Sequence, residues 1–253
     1  MRVLVCVKQV PDVAQVRLSA DFTLRRDGVA QRMNPADESA LEFGLRLKNT
    51  HGATVTVLTM GLPSAEAMLR DALSRGANRA VHLTDSAFAG SDTLATARNL
   101  ALAVKHLEGF DLLLCGRRAI DGETGQVGPM LAAMLGLPCL PNVLEAKMEQ
   151  GAMIARQLME KGILSWRVSP PVLITLCEGS YRLRLPSLMG LRTAQASAIV
   201  RLNAKDIGAP ANGLTASPTR VCAISARPVE QRSCQKMPPQ GVLETLYAKG
   251  VLP

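Results

Sequence analysis

Short apolar runs alternate with amphipathic segments over the first two thirds of the chain. The apolar runs are nearly continuous, which is typical of strands buried on both faces of a parallel sheet; they cover residues 3–8, 54–60, 80–83, 111–116 and 172–177. Between them, helical periodicity is predicted over residues 37–48, 64–74, 93–106 and 128–135. Strands and helices that alternate with such short connections predict an α/β fold of three layers, in which a parallel sheet carries helices on both faces.

Polar residues mark the predicted starts of three helices. Ser64 precedes a periodic segment and is predicted to cap it, because short polar side chains accept hydrogen bonds from the first free amides of a helix. Asp92 is predicted to open the helix over residues 93–106. Asn34-Pro35 is a turn signal, and Asp37 after it can cap the next helix. From the pattern alone, Asp37 is expected to be a structural cap.

Two stretches break the alternation. Residues 143–168 are expected to form an antiparallel insertion, with turns at Gln150-Gly151 and Lys161-Gly162. From about Arg201 the chain is irregular and contains many prolines, and its last predicted helix, over residues 241–249, is short. We therefore expect an α/β domain over residues 1–200 and an arm over residues 201–253, which is either loosely ordered or wraps a partner.

Composition narrows the function without defining it. A chain of 253 residues can bury a sizeable core, but only 3% of them are aromatic, which argues against base stacking on single-stranded nucleic acid. The net charge of +8 is dispersed, with no run of five or more Lys or Arg. It therefore favours acidic partners in general and does not indicate a nucleic-acid-binding patch.

The cysteines and histidines indicate no metal site. The six cysteines include no CxxC pair, and the three histidines are too scattered for a metal cluster or a catalytic triad. Cys6, Cys115 and Cys177 lie in apolar runs and are expected to be core thiols in a reducing compartment. With no signal-peptide pattern and no apolar run near the ~20 residues of a membrane span, a cytoplasmic protein without membrane insertion is expected.

The segment from Cys115 to Met130 is the strongest candidate for a ligand site. It leaves the carboxyl end of a buried strand, which is where open α/β sheets bind ligands. Gly122 and Gly125 let the backbone approach an anion closely, and the start of the following helix offers free amides to a phosphate. The segment matches neither the Walker A nor the Rossmann pattern, so a tight connection with glycines for its turns alone stays open as an alternative.

Ordered motifs over essentially the whole chain resemble one family. They are Val5-Cys-Val-Lys-Gln-Val-Pro-Asp12, Arg26-Asp-Gly-Val29, Met33-Asn-Pro-Ala-Asp37, Thr59-Met-Gly61, Leu69-Arg-Asp71, Gly76-Ala77, Asp92-Thr-Leu-Ala-Thr96, Gly116-Arg-Arg-Ala-Ile-Asp-Gly-Glu-Thr-Gly-Gln-Val-Gly-Pro129 and Leu185-Pro-Ser-Leu-Met-Gly190. In order and spacing they are similar to the beta subunits of electron transfer flavoproteins. The resemblance implies an adenine-nucleotide-binding α/β fold of the type shared with universal stress proteins and PP-loop enzymes.

The resemblance also implies the cofactors. Family members pair with an alpha subunit that carries the redox-active FAD, while the beta subunit holds either a structural AMP or, in bifurcating members, a second FAD that takes a hydride from NADH. Val10-Pro-Asp12 and the run from Asp121 to Pro129 resemble the bifurcating branch, so we expect the second FAD. No catalytic side chain of this chain is implied.

The nucleotide site is carried over position by position from the resemblance. It comprises Cys6, Asn34, Pro35, Ala36, Asp37, Met60, Asp121, Gly122, Glu123, Thr124, Gly125, Gln126, Val127, Gly128, Pro129, Met130, Leu131 and Ala132. Val13 and Ala36 stand where some members place aromatic residues near the flavin of the alpha subunit, so that stacking contact is not expected here.

Partner binding is implied by the same resemblance. Leu185 matches a leucine anchor in a loop, here about residues 181–193. This loop docks flavin dehydrogenases such as an acyl-CoA dehydrogenase or a quinone-linked oxidoreductase. The arm over residues 201–253 is expected to wrap the alpha subunit. A nucleotide-sensing module of the universal-stress-protein type and a non-bifurcating AMP-containing subunit remain alternatives. An ATP pyrophosphatase is disfavoured, because Lys8-Gln-Val-Pro-Asp12 stands where that chemistry needs a Ser- and Gly-rich loop.

Overall fold

The computed structural model describes residues 1–12, 17–18, 24–25, 30–107, 109–209, 213–219, 222, 234 and 236–252. Its strands are β1 (Arg2–Cys6), β2 (Gln9–Pro11), β3 (Arg17–Leu18), β4 (Leu24–Arg25), β5 (Gln31–Met33), β6 (Thr54–Met60), β7 (Arg79–Leu83), β8 (Leu112–Gly116), β9 (Cys139–Glu149), β10 (Ala152–Met159), β11 (Gly162–Val168), β12 (Val172–Leu176) and β13 (Ile199–Leu202). Its α-helices are α1 (Pro35–His51), α2 (Glu66–Ser74), α3 (Thr93–Leu107), α4 (Val127–Leu135), α5 (Leu188–Ala196) and α6 (Pro239–Ala248). Val13 and the motif at residues 26–29 lie outside the described residues.

One sheet organises the fold, with strand order β11-β10-β9-β12-β8-β1-β6-β7-β13. The strands from β9 to β13 in this order are parallel, and β10 and β11 extend the β9 edge as an antiparallel ladder. β1 lies between β6 and β8, with Val5 opposite both Val57 and Leu114. The chain order reverses direction between β1 and β8, and ligands bind at this switch point in open α/β sheets.

Two hydrophobic cores lie on opposite faces of the sheet. Val3 and Val5 pack on the face that α1 and α2 cover, through side chains such as Leu41 and Leu69. Leu4, between them in β1, faces the other core with Leu100 of α3. Alternate residues of one strand therefore bury both faces, which explains the continuous apolar runs and confirms the three-layer α/β prediction.

The predicted strands and helices are present, with ends that differ by a few residues. The caps predicted at Ser64 and Asp37 are wrong, because no side chain caps α1 or α2. Ser64 does not cap α2, which begins two residues later behind a short 3-10 turn over Pro63–Ala65. The Ser64 hydroxyl donates instead to Gln9 Oε1 at 3.0 Å. Asp92 does act as a cap, since its Oδ1 accepts from the amide of Ala95 at 2.9 Å.

The antiparallel insertion is confirmed, since β9 pairs with β10 from Val143 onward; β9 itself begins earlier, at Cys139, where it pairs in parallel with β12. Two other features of the second half differ from the sequence pattern. α5 occupies much of the expected docking loop and is capped by Ser187, whose Oγ accepts from the amide of Gly190 at 2.9 Å. β13 spans the expected domain boundary at residue 200; this edge strand is only half-buried, so it lacks the apolar run that identified the central strands.

No helix within the described ranges is long and apolar enough to cross a membrane.

Candidate nucleotide-binding site

A cavity of about 800 Å³ opens at the carboxyl ends of the central parallel strands. β1, β6, β7 and β8 contribute their last residues or the loops that follow, and the starts of α3 and α4 form the opposite wall. Its volume falls within the range of roughly 300–1,000 Å³ that is usual for small-molecule sites. The position, at the switch point beside β1 and β8, is the one that the fold favours for a ligand.

The residues expected to bind the nucleotide divide into two groups. Those that line the cavity are Cys6, Asn34, Asp37, Met60, Gly122, Glu123, Thr124, Gly125, Gln126, Val127 and Gly128. The remaining positions lie behind this lining or beside it; they are Pro35, Ala36, Asp121, Pro129, Met130, Leu131 and Ala132. Leu131 and Ala132 are fully buried in the core beneath α4, where they hold the helix against the sheet.

The loop between β8 and α4 has the backbone shape of an anion cradle. Glu123 and Gly125 adopt left-handed conformations, with φ of +52° and +63°. Left-handed residues allow neighbouring amides to face one concave side, as in the backbone nests that bind anions, although the amide of Glu123 itself donates to the carbonyl of Ala119 at 2.8 Å. Gly122 has open space where a side chain would be, since no atom lies within 4 Å of an added Cβ. The loop is therefore shaped for close approach of a ligand.

The start of α4 closes the cradle. A helix leaves its first amides without internal acceptors, and no side chain caps α4, whose first residues Val127 and Gly128 line the cavity. A Cβ on Gly128 would lie 2.6 Å from Thr175 Cγ2, so this glycine allows the helix to pack tightly on β12. α4 thus presents an uncapped N-terminus, which favours an anion such as a phosphate.

Asn34 joins the start of α1 to the loop. Its Nδ2 donates to the carbonyl of Arg118 at 2.9 Å, and its Oδ1 accepts from the amide of Ile120 at 3.1 Å. The side chain is buried. Both ends of its carboxamide are therefore used by the loop backbone.

Asp37 joins the ends of two strands and is not a helix cap. Its Oδ2 accepts from the amide of Lys8 at 2.7 Å and its Oδ1 from the amide of Gly116 at 3.0 Å. Burial raises the pKa of Asp37 to about 7, against the opposing effect of these hydrogen bonds. A Cβ on Gly116 would lie 2.2 Å from Asp37 Oδ1, so only glycine fits beside this carboxyl group.

Lys8 belongs to the same region, although the carried-over site did not include it. Its Nζ contacts both carboxylate oxygens of Asp121, at 2.7 and 2.8 Å, and so links the end of β1 to the loop. The cavity wall from Thr84 to Thr93 was missed. A signal for it existed, because this segment follows a parallel strand at its carboxyl end, as Lys8 does.

Two thiols lie at the floor of the cavity. Cys6 and Cys115 follow the paired residues Val5 and Leu114 on neighbouring strands, and both are buried. A hydrogen bond with Cys6, together with burial, raises the pKa of Cys115. Both thiols are buried core groups, as expected. Among the described residues, no cluster of three or more His, Cys, Asp or Glu side chains is arranged to hold a metal ion.

Leu185 lies on a separate surface, and 86% of it is exposed. Leu188 and Met189, at the start of α5, are exposed beside it in sequence. The segment is held from below: Arg184 makes hydrogen bonds of 2.9 and 3.1 Å to the carboxylate of Glu42, and Arg75 donates to the carbonyl of Arg184. The burial of Glu42 opposes its ionisation, but the hydrogen bonds from Arg184 outweigh this and lower its pKa. An apolar side chain is thus presented on a fixed support.

Comparison with known proteins agrees with this architecture. The sequence model of the electron transfer flavoprotein domain matches residues 21–207. The electron transfer flavoprotein subunit beta of Thermoanaerobacterium thermosaccharolyticum is 41% identical over 91% of this chain and 90% of its own. The caffeyl-CoA reductase-Etf complex subunit CarD of Acetobacterium woodii is 42% identical over 87% and 86%, and protein FixA of Azorhizobium caulinodans is 44% identical over 90% and 86%. The chain belongs to the electron transfer flavoprotein family as a beta subunit, an electron-transfer chain that works with an alpha subunit and with redox partners.

Proposed function

We propose that the cavity beside β1 and β8 holds an adenine nucleotide, and that this nucleotide is a second FAD. The heterodimer with the alpha subunit would then carry two flavins and pass electrons from NADH to its partners by bifurcation. The observation that carries the nucleotide site is the uncapped N-terminus of α4, which lies at the end of a loop with two left-handed residues and lines the cavity.

The phosphate contacts follow from this geometry. The amides of Val127 and Gly128 would hold one phosphate, because they are the free donors at the positive end of the helix dipole. Thr93 lies beside them, with its Oγ1 3.3 Å from Gln126 Oε1, and Thr96 also lines the cavity. The hydroxyl groups of Thr93 and Thr96 can each donate a further hydrogen bond to a diphosphate without adding a charge to the site.

The choice of FAD over AMP rests on the sequence of the loop. The run from Asp121 to Pro129 resembles the bifurcating branch of the family, and its acid Glu123 lies 3.8 Å from Arg118, which partly neutralises it. The cavity volume lies in the upper part of the usual range for ligands, which suits the larger nucleotide. A flavin bound here would supply one- and two-electron redox chemistry; the side chains of this subunit would bind and orient it and contribute no catalytic group.

Partner contacts complete the proposal. Leu185 would insert into a flavin dehydrogenase, of the acyl-CoA dehydrogenase type or a quinone-linked oxidoreductase, because an exposed leucine on a fixed support makes an effective anchor. The arm over residues 201–253 would wrap the alpha subunit. α6 supports this, since it buries none of its side chains while exposing Val242, Leu243 and Tyr247. The complex would work in the cytoplasm.

The nucleotide content of the purified heterodimer tests the cofactor. Acid release followed by chromatography should give two FAD per heterodimer and no AMP. One FAD with one AMP would reject the second flavin but keep the nucleotide site. One FAD with no second nucleotide would reject the site itself.

A further inference from the structure

We propose that Asn34 is a positioning residue, which holds the loop between β8 and α4 in its nucleotide-binding form before any nucleotide arrives. This inference deepens the proposed nucleotide site and rests on it for its functional meaning. It differs from the position-by-position expectation, in which Asn34 binds the nucleotide directly.

Every polar atom of Asn34 already has a partner within the protein. Its backbone amide donates to the carbonyl of Lys8 at 2.9 Å, and its carbonyl accepts from the amides of Asp37 and Glu38 at 2.9 and 3.1 Å. Its carboxamide is used by Arg118 and Ile120, 84 and 86 residues away in the sequence. A side chain that is only 1% exposed and engaged at both ends is placed to hold a backbone rather than to meet a ligand.

The anchor on which Asn34 sits is itself fixed. Asn34 lies between β5 and α1, and Pro35 opens the helix with its preset backbone angle. Asp37, one turn further on, ties α1 to the ends of β1 and β8 through the amides of Lys8 and Gly116. The start of α1 is therefore fixed to the sheet and cannot move with the loop between β8 and α4. A side chain on a rigid element holds its hydrogen-bond partners in a defined position.

The held segment is the one that leads into the cradle. Arg118 and Ile120 precede Asp121, and the amide of Glu123 donates back to the carbonyl of Ala119 at 2.8 Å. The left-handed turn at Glu123 is therefore built directly on the residues that Asn34 fixes. Strained turns of this kind persist only when surrounding contacts determine them, and here Asn34 supplies two of those contacts.

Asn34→Ala removes both contacts and leaves the partly buried carbonyl of Arg118 and amide of Ile120 without their partners. The chain offers a matched control, Asn99→Ala, because Asn99 in α3 is also 1% exposed, while it lies outside the cavity lining. Both variants would be prepared as the full heterodimer with the alpha subunit. Wild type and variants would each be measured loaded with nucleotide and after its removal.

Amide hydrogen exchange of the nucleotide-free heterodimer is the decisive measurement. We expect residues 117–126 to exchange at least about tenfold faster in Asn34→Ala than in wild type, because the hydrogen bond to the Ile120 amide is lost. Asn99→Ala should leave exchange in this segment unchanged. Titration with AMP and, separately, with FAD should show an affinity about 10- to 100-fold weaker for Asn34→Ala only, as expected from the loss of two partly buried hydrogen bonds.

The outcomes separate the positioning role from its alternatives. Weaker nucleotide binding without faster loop exchange would show that Asn34 contacts the nucleotide directly, and unchanged binding would also overturn the inference. If wild type binds neither AMP nor FAD, the proposed nucleotide site fails, while the exchange rates still decide whether Asn34 holds the loop. If Asn34→Ala yields no folded heterodimer, the exchange rate of the Ile120 amide in nucleotide-free wild type is the test. A rate as fast as that of an exposed loop would refute the positioning role of Asn34.

Discussion

The buried carboxyl group of Asp37 should make the stability of the protein fall as the pH rises towards neutrality. Its pKa is raised by burial from 3.8 to about 7. Between these pH values the native state binds a proton that the unfolded state does not bind, so protonation stabilises the native state. This contribution is complete below about pH 4 and is lost as the pH rises through about 7.

The size of the effect follows from the two pKa values. Each pKa unit corresponds to 1.36 kcal/mol, so the difference between 3.8 and about 7 amounts to about 4 kcal/mol at most. About 2.5 kcal/mol of this is lost between pH 5 and pH 8, where the protein is convenient to study. His82 acts in the opposite direction, because burial lowers its pKa and its neutral form is favoured in the native state.

The assay compares wild type with Asp37→Asn, which has nearly the same shape and does not titrate. Urea unfolding of the heterodimer at fixed subunit and nucleotide concentrations gives the free energy of unfolding of each protein at pH 5, 6, 7 and 8. His82 is present in both proteins, so its contribution cancels in the difference. The advantage of wild type over the variant should shrink by about 2.5 kcal/mol from pH 5 to pH 8. A constant difference, or one that grows with pH, would refute the assignment of a neutral Asp37.

Two further predictions concern the α4 contact and the exposed anchor. Gly128→Ala places a Cβ 2.6 Å from Thr175 Cγ2, so the free energy of unfolding should fall by about 1–3 kcal/mol and the heterodimer should retain less nucleotide. Gly122→Ala is the control, because a Cβ at this position has open space; it should lower the free energy of unfolding by less than about 1 kcal/mol in the same denaturation assay. Leu185→Ala should leave the melting temperature unchanged and slow electron exchange with the partner dehydrogenase about tenfold or more, as measured by stopped flow. Leu164→Ala on β11 is the control for the loss of an exposed leucine, and an equal slowing in both variants would argue against a specific anchor.

The central strands could be predicted from the sequence because their environment is uniform. β1, β6 and β8 are buried on both faces, so each is a continuous apolar run that needs no knowledge of its neighbours. β13 was missed for the opposite reason: it is a half-buried edge strand that carries Arg201, and its pairing with β7 is not encoded locally. When the burial of a short strand depends on a partner that is distant in the sequence, the strand's own hydrophobic pattern does not identify it.

The helix starts show the same limit at the level of single side chains. Ser64 and Asp37 have the residue types of caps, and Asp92 with the same signal is one. Ser64 instead donates to Gln9, 55 residues away, and Asp37 accepts from Lys8 and Gly116, 29 and 79 residues away. A short polar side chain satisfies whichever amide or acceptor the fold brings nearest, and the sequence does not specify that neighbour.

The candidate site combines both kinds of information. The loop from Gly122 to Gly128 is local, so its glycines and its helix start could be recognised in the sequence as a cradle. The residues that keep this loop in place act over long sequence distances: Lys8 reaches Asp121, Asp37 reaches Gly116, and Asn34 reaches Ile120. The family resemblance, applied position by position, assigns both the loop residues and the residues that hold the loop as nucleotide contacts. The hydrogen bonds separate them, because an atom whose partners are all within the protein stabilises the shape of the site, while the uncapped amides of α4 remain for the ligand.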